Sequence, residues 1–213
     1  MESARVVSVN VGLPREVRWR GREFTTAIVK EPIAGSRRIE GVNVVGDDQA
    51  DRTVHGGPSK AVYSYSLEDY AWWSQQLGRE LGPGTFGENL TLAGVDASAL
   101  PIGERWRVGT ALLEVSEPRI PCYKLAYRMD DPAFPKHFGA AMRFGTYFRI
   151  IEEGDVEAGS PMTREREALA PTLPSRDVAR IYMFAHDERH KLADIPALDL
   201  PWRNWGAGLP DED

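Results

Sequence analysis

The sequence predicts a mixed α/β fold that is mainly β: a curved or closed sheet with inserted helices, followed by a small helical extension. Three observations lead there. Short runs rich in Val, Ile and Thr recur between Gly, Pro and Asn breaks. Helical spacing is confined to isolated stretches. A composition shift at Pro171 to Pro174 precedes a run with one apolar stripe.

Arg5 to Val11, Glu23 to Val29 and Arg38 to Val45 read as strands, and Ala61 to Ser64 as another. A helix starts at Ser66, where Ser66-Leu67-Glu68-Asp69 resembles a capping box. It carries Leu67, Tyr70, Trp73 and Leu77 at helical spacing and stops at Gly78, so its aromatics belong to the core. Beyond a Gly- and Pro-rich loop from Gly82 to Gly87, Asn89 to Leu92, Arg105 to Val108 and Leu112 to Val115 read as strands between glycine turns. The pattern turns irregular and weakly helical around Cys122. Strands follow at Tyr147 to Ile151 and Met162 to Arg166. After the linker, Ser175 caps a helix whose stripe is Val178, Ile181, Tyr182 and Ala185. Residues 1–170 are thus the expected β domain and residues 171–213 its helical extension.

Composition removes several classes of function. With 26 Lys and Arg against 32 Asp and Glu, the net charge is −6, so the whole molecule offers no footprint for nucleic acid and any anion site is local. No run approaches the roughly 20 apolar residues of a membrane helix, and no basic start with a long apolar stretch opens the chain; a soluble cytoplasmic protein is expected. A single cysteine makes no internal disulfide and no cysteine-only zinc site.

Three segments are more polar than strand-building requires. The first, Gly46 to Lys60, holds Asp47, Asp48, Asp51 and Arg52, then His55, Gly56, Gly57, Pro58, Ser59 and Lys60. Paired glycines let backbone N–H groups approach an anion, although a polar turn before a strand has the same composition. The spacing is not that of a phosphate-binding P-loop, and Gly154 to Gly159 is not a dinucleotide fingerprint. In the second, Glu88 and Asn89 stand at a strand entrance, where each fits either a ligand contact or a turn. The third, Ser116 to Leu125, sets Pro118 and Pro121 before Cys122 and places Arg119 and Lys124 on either side of it. Cations beside a thiol in space favour its thiolate, whereas a lone cysteine in an apolar setting is simply a buried small hydrophobe. From Pro118 to Arg149, six Lys and Arg against Asp130 and Asp131 leave +4, which suits an anionic ligand or a solvated basic face. His186 and His190 lack the glutamate that a zinc-protease motif places directly after its first histidine, and are read as polar positions near a helix end.

Taken together, Gly46-Asp47-Asp48-Gln49-Ala50-Asp51, His55-Gly56-Gly57-Pro58, Phe86-Gly87-Glu88-Asn89-Leu90 and Val115 to Leu125 resemble the MOSC domain family, particularly its YiiM-like bacterial branch. The resemblance implies a MOSC-type β-barrel and a molybdenum cofactor, molybdopterin, with Cys122 as metal ligand and catalytic group. A soft thiolate suits a metal already held by pterin sulfurs. It further implies a site of His55, Gly56, Gly57, Lys60, Glu88, Asn89, Arg119 and Lys124 around the cofactor. The implied activity is reduction of N-hydroxylated compounds such as hydroxylaminopurine-type bases. The chain has no flavin or nicotinamide motif and too few cysteines for an iron–sulfur cluster, so electrons are expected from a separate flavin or iron–sulfur reductase. The alternative is a carrier of the cofactor or of sulfur on Cys122. A monomer or small homo-oligomer without nucleic-acid or membrane partners is expected.

Overall fold

In the computed structural model of the chain, residues 3–50 and 56–210 are described. The chain opens with β1 (Arg5–Val11), then a hairpin of β2 (Arg15–Trp19) and β3 (Arg22–Thr26), then the short β4 (Glu31–Pro32), β5 (Arg37–Glu40) and β6 (Asn43–Val44). β7 (Val62–Ser66) leads into α1 (Leu67–Leu77), followed by β8 (Leu90–Ala93), β9 (Arg105–Val108) and β10 (Ala111–Pro118). Helices α2 (Tyr123–Met129) and α3 (Phe134–Ala141) precede β11 (Thr146–Glu152), β12 (Gly154–Val156) and β13 (Met162–Arg166); α4 (Ser175–Phe184) and α5 (Leu200–Ala207) complete the order.

Eight strands form one sheet in the order β13, β9, β10, β11, β7, β8, β1, β4. Its one parallel pair, β7 with β8, requires a crossover, and α1 supplies it. The mixed α/β, sheet-rich architecture agrees with the sequence. The expected barrel does not close, because no ladder joins β13 to β4. The sheet nevertheless curls until the start of β1 meets the approach to β13 through the Arg5–Pro161 bridge, and Met162 N–H donates to the Ala4 carbonyl at 2.9 Å.

Local differences from the sequence reading have local causes. The run Arg38 to Val45 is two strands rather than one, because Gly41 at φ 59° turns the chain and pairs Glu40 with Asn43. Ser66 does not cap α1: its hydroxyl donates to the Val95 carbonyl at 3.0 Å and accepts from Ala97 N–H at 2.8 Å. Gly78, in the left-handed conformation, ends α1 as expected.

Two apolar clusters lie on the sheet. One joins Val6, Leu90, Val115 and Phe148 with Val178, Ile181, Leu192 and Leu198, so the helices after residue 171 share the core of the strands. The other is aromatic and packs Tyr70 and Trp73 of α1 with Phe86, Phe134 and Phe138. The first cluster holds the C-terminal helices and the second holds α2 and α3; α5 and the loop into α2 thereby reach the same end of β10.

Candidate functional site

A cavity of about 1020 Å³ opens where the end of β10, the loop into α2, residues 26–30, the 47–50 segment and α5 converge. Cys122 lies on its wall, half-buried, in extended backbone immediately before α2. The prolines that precede it keep Pro118 to Cys122 out of a helix until the Cys122 carbonyl accepts the Leu125 N–H at 3.0 Å. The thiol is therefore open to the cavity rather than sealed in the core. Lys60, Asn89, Arg119 and Lys124, drawn from all three polar segments, line the same cavity.

Arg119 is the most constrained of these. The residue is 8% exposed, and its guanidinium lies over the Tyr63 ring at 5.4 Å and reaches the Tyr147 hydroxyl at 3.5 Å. Burial opposes its charge, but the neighbouring Tyr147, Cys122 and Tyr63 side chains outweigh burial and push its pKa upward. Nε and Nη2 are buried without a hydrogen-bond partner. Buried guanidinium donors are normally paired, and this fork matches phosphate geometry.

Behind it, Lys30 and Asp47 form a buried ion pair. Burial pushes the Lys30 ammonium below the ordinary lysine value, and Asp47 opposes that shift. Asp47 also accepts Gly12 N–H at 2.8 Å and Asn89 Nδ2 at 2.9 Å, while Asn89 Oδ1 accepts Tyr63 N–H at 3.1 Å. Asn89 thus spends its amide joining β7 to the 47–50 segment. Lys30 reaches the cavity because Gly84 and Gly87 let their loop lie against residues 28–30. A Cβ at Gly84 would meet the Lys30 carbonyl at 2.5 Å, and one at Gly87 would meet Ile28 Cγ1 at 2.7 Å.

On the opposite wall, Lys60 Nζ pairs with Glu117 at 2.9 Å. Burial raises the Glu117 pKa, and Lys60 and a hydrogen bond from the Trp202 indole hold it down. Lys124 makes no ion pair among the described residues.

The remaining sequence candidates stand elsewhere. Glu88 is fully buried beneath the wall, where one oxygen accepts the Tyr70 hydroxyl at 2.5 Å, Gly84 N–H at 2.7 Å and the Thr91 hydroxyl at 2.8 Å. Its place is structural, as a knot between α1, the glycine loop and β8. Gly56 and Gly57 do not line the cavity; Gly57 N–H donates to Gln49 Oε1 at 2.9 Å, and Gln49 Nε2 donates to the Lys60 carbonyl at 3.0 Å, which fixes the turn that aims Lys60. His55, with Asp51 and Arg52, lies outside the described residues. His186 and His190 meet the backbone carbonyls of Tyr182 and Asp187. No group of three or more His, Cys, Asp or Glu among the described residues is placed to hold a bare metal ion.

Lys30, Tyr63, Tyr147 and Trp202 were not singled out from sequence. Only Lys30 carried a signal, as a charge at the end of an apolar run; the others are aromatics whose sequence setting is that of core.

A thiol-bearing cavity rich in cations, set at the end of an open eight-stranded sheet, defines the class of protein, and comparison with known proteins agrees. Residues 51–163 match the MOSC domain. YflK of Bacillus subtilis is 38% identical over 159 residues, covering 75% of this chain and 72% of that protein. A protein of Gibberella moniliformis named Reductase is 33% identical over 187 residues, covering 84% of this chain but 33% of its own length. The crystal structure of YiiM from Geobacillus stearothermophilus superposes with a TM-score of 0.78 at 31% identity, over 96% of this chain and 98% of that one. The chain belongs to the MOSC domain family. No helix among the described residues is long and apolar enough to cross a membrane.

Proposed function

We propose that the chain is a molybdenum-cofactor-dependent oxidoreductase that reduces N-hydroxylated compounds, such as hydroxylaminopurine-type bases, with electrons from a separate flavin or iron–sulfur protein. One observation carries the reading: the single thiol opens into a cavity in which Arg119 keeps two buried donors without an acceptor. An anionic, thiolate-ligated group fits that pairing of deficits. The name of the Gibberella relative supports the redox class.

Bound there, the cofactor supplies a metal that exchanges two electrons. Cys122 would hold the metal through sulfur, and Arg119 would hold the phosphate through Nε and Nη2. Lys30, Lys60 and Lys124 add positive potential, tempered by Asp47 and Glu117. The rings of Tyr147 and Trp202 present flat apolar faces and limit water. Reduction of R–NHOH takes two electrons and two protons, breaks N–O, forms N–H and releases water.

A carrier of cofactor or sulfur is the second reading, favoured by the open position of Cys122. Protein made in a cofactor-producing cell decides between them. Stoichiometric molybdenum and pterin, with turnover of an N-hydroxylated base by reduced methyl viologen, supports the reductase; a Cys122 persulfide without metal supports the carrier.

A further inference from the structure

Beside the cavity, β2 and β3 form a ribbon that, among the described residues, hydrogen-bonds to no other strand. Its two-residue turn, Arg20-Gly21, has both residues at positive φ, 48° and 79°. That turn suits a tight hairpin but favours Asn or Gly at its first position, so arginine is held at the tip against backbone preference. Arg15, Arg18, Arg20 and Arg22 fall within eight residues and are all exposed. Only Arg18 has an ion-pair partner among the described residues, the equally exposed Glu23 at 3.6 Å. Arg20 stacks over Trp19 at 5.3 Å and Arg22 over Tyr123 at 5.1 Å. Stacking orders a guanidinium while its N–H edge stays turned to solvent.

A two-stranded ribbon is marginally stable alone, so its position depends on what it rests upon. Phe24 meets Tyr123 and Tyr127 at ring distances of 5.0 and 5.5 Å, and the Trp19 indole donates to Asp130 at 2.8 Å. The ribbon is therefore anchored to α2, the helix that starts at the residue after Cys122. Thr26 and Ala27, at its downstream end, line the cavity with Cys122.

Resting on the reading above that electrons arrive from another protein, we infer that this hairpin is the docking face for a small acidic electron-carrier protein, with its arginines meeting the carrier's carboxylates beside the redox cavity. Two reduced carriers each give up one electron and are oxidised, and two protons from water complete the reduction of the N–OH group to N–H and water. A polyanionic nucleic acid fits less well, because its phosphates need a continuous basic track and Glu16 and Glu23 interrupt this short one.

The test titrates the full chain with an oxidised two-iron ferredoxin by calorimetry and stopped flow at low and moderate salt. Binding that weakens with salt is expected, and the double variant Arg20→Glu/Arg22→Glu should slow association by about tenfold or more. Arg20→Lys/Arg22→Lys should keep most of it, and circular dichroism should show both variants folded. Turnover driven by reduced methyl viologen, which needs no docking, should be unchanged in both. Equal ferredoxin binding by wild type and the glutamate variant, no ferredoxin binding at low salt, or tighter binding of duplex DNA than of ferredoxin would each overturn the inference. Absence of viologen-driven turnover in wild type would count against the reductase reading instead, while the binding result would still decide the docking face.

Discussion

The guanidinium of Arg119 lies 5.4 Å over the ring of Tyr63, and Tyr63 is itself fixed by its hydroxyl donating to the Phe144 carbonyl at 2.8 Å. The cation is thus oriented by a rigid aromatic and not by a carboxylate, which leaves Nε and Nη2 free for an incoming anion. Arg119→Ala should weaken cofactor retention by about 1.5–3 kcal/mol, the cost of lost charge-assisted bonds. Arg119→Lys should recover only part of that, since an ammonium has no planar fork. Pterin retained after gel filtration measures both; unchanged retention in the alanine variant would remove Arg119 from the site.

Asn89 ties Tyr63 N–H to Asp47. Asn89→Ala leaves the buried Tyr63 N–H without its acceptor and Asp47 Oδ2 without the amide donor, and should destabilise the fold by about 1–3 kcal/mol. Denaturant unfolding at neutral pH checks this, and a change within error would show that water replaces the amide.

Burial pushes the Glu88 carboxyl above the ordinary carboxylate range, against hydrogen bonds from Tyr70, Gly84 and Thr91. A folded carboxyl with a raised pKa keeps its proton where the unfolded one has lost it. Its contribution is therefore fully present in acid and falls as pH rises from the ordinary range through the raised value. As pH rises from about 4 through the raised value, wild type should lose stability relative to Glu88→Gln, which cannot titrate. A stability difference that stays flat across that range would contradict it. Glu88→Ala, which orphans three buried donors, should cost about 3 kcal/mol or more.

Trp202 on α5 donates to Glu117, which pairs with Lys60. Trp202→Ala should open the cavity wall and raise the KM for a planar N-hydroxylated base several-fold while leaving molybdenum content unchanged. Unaltered KM would place Trp202 outside the substrate path.

Much of this was legible in the sequence because the cues were local. The strands Arg105–Val108 and Met162–Arg166 are bounded by glycine or proline turns and were placed to the residue. Lys60, Arg119, Cys122 and Lys124 stood out because they fall in segments more polar than strand-building requires, and Cys122 is the one thiol of the sequence. The division of labour among them was not legible. Glu88 and Asn89 look alike as polar neighbours, yet at the entrance to β8 Glu88 turns beneath the wall to Tyr70, Gly84 and Thr91 while Asn89 stays on it. Lys30 and Trp202 join the site only through glycine contacts and helix packing distant in sequence. The basic ribbon at Arg15 to Arg22 was missed because Val17 and Trp19 give an alternation too short, among charged residues, to mark a half-buried strand.

The central claim is that Cys122 binds the metal of an anionic cofactor in this cavity. Molybdenum and pterin content of wild type and Cys122→Ser, both made in a cofactor-producing cell and matched for thermal unfolding, tests it most directly. The half-buried position of Cys122 predicts an unchanged unfolding transition, with stoichiometric molybdenum in wild type and background molybdenum in Cys122→Ser. Molybdenum retained by the serine variant at the wild-type level, or absent from both proteins, would contradict the account.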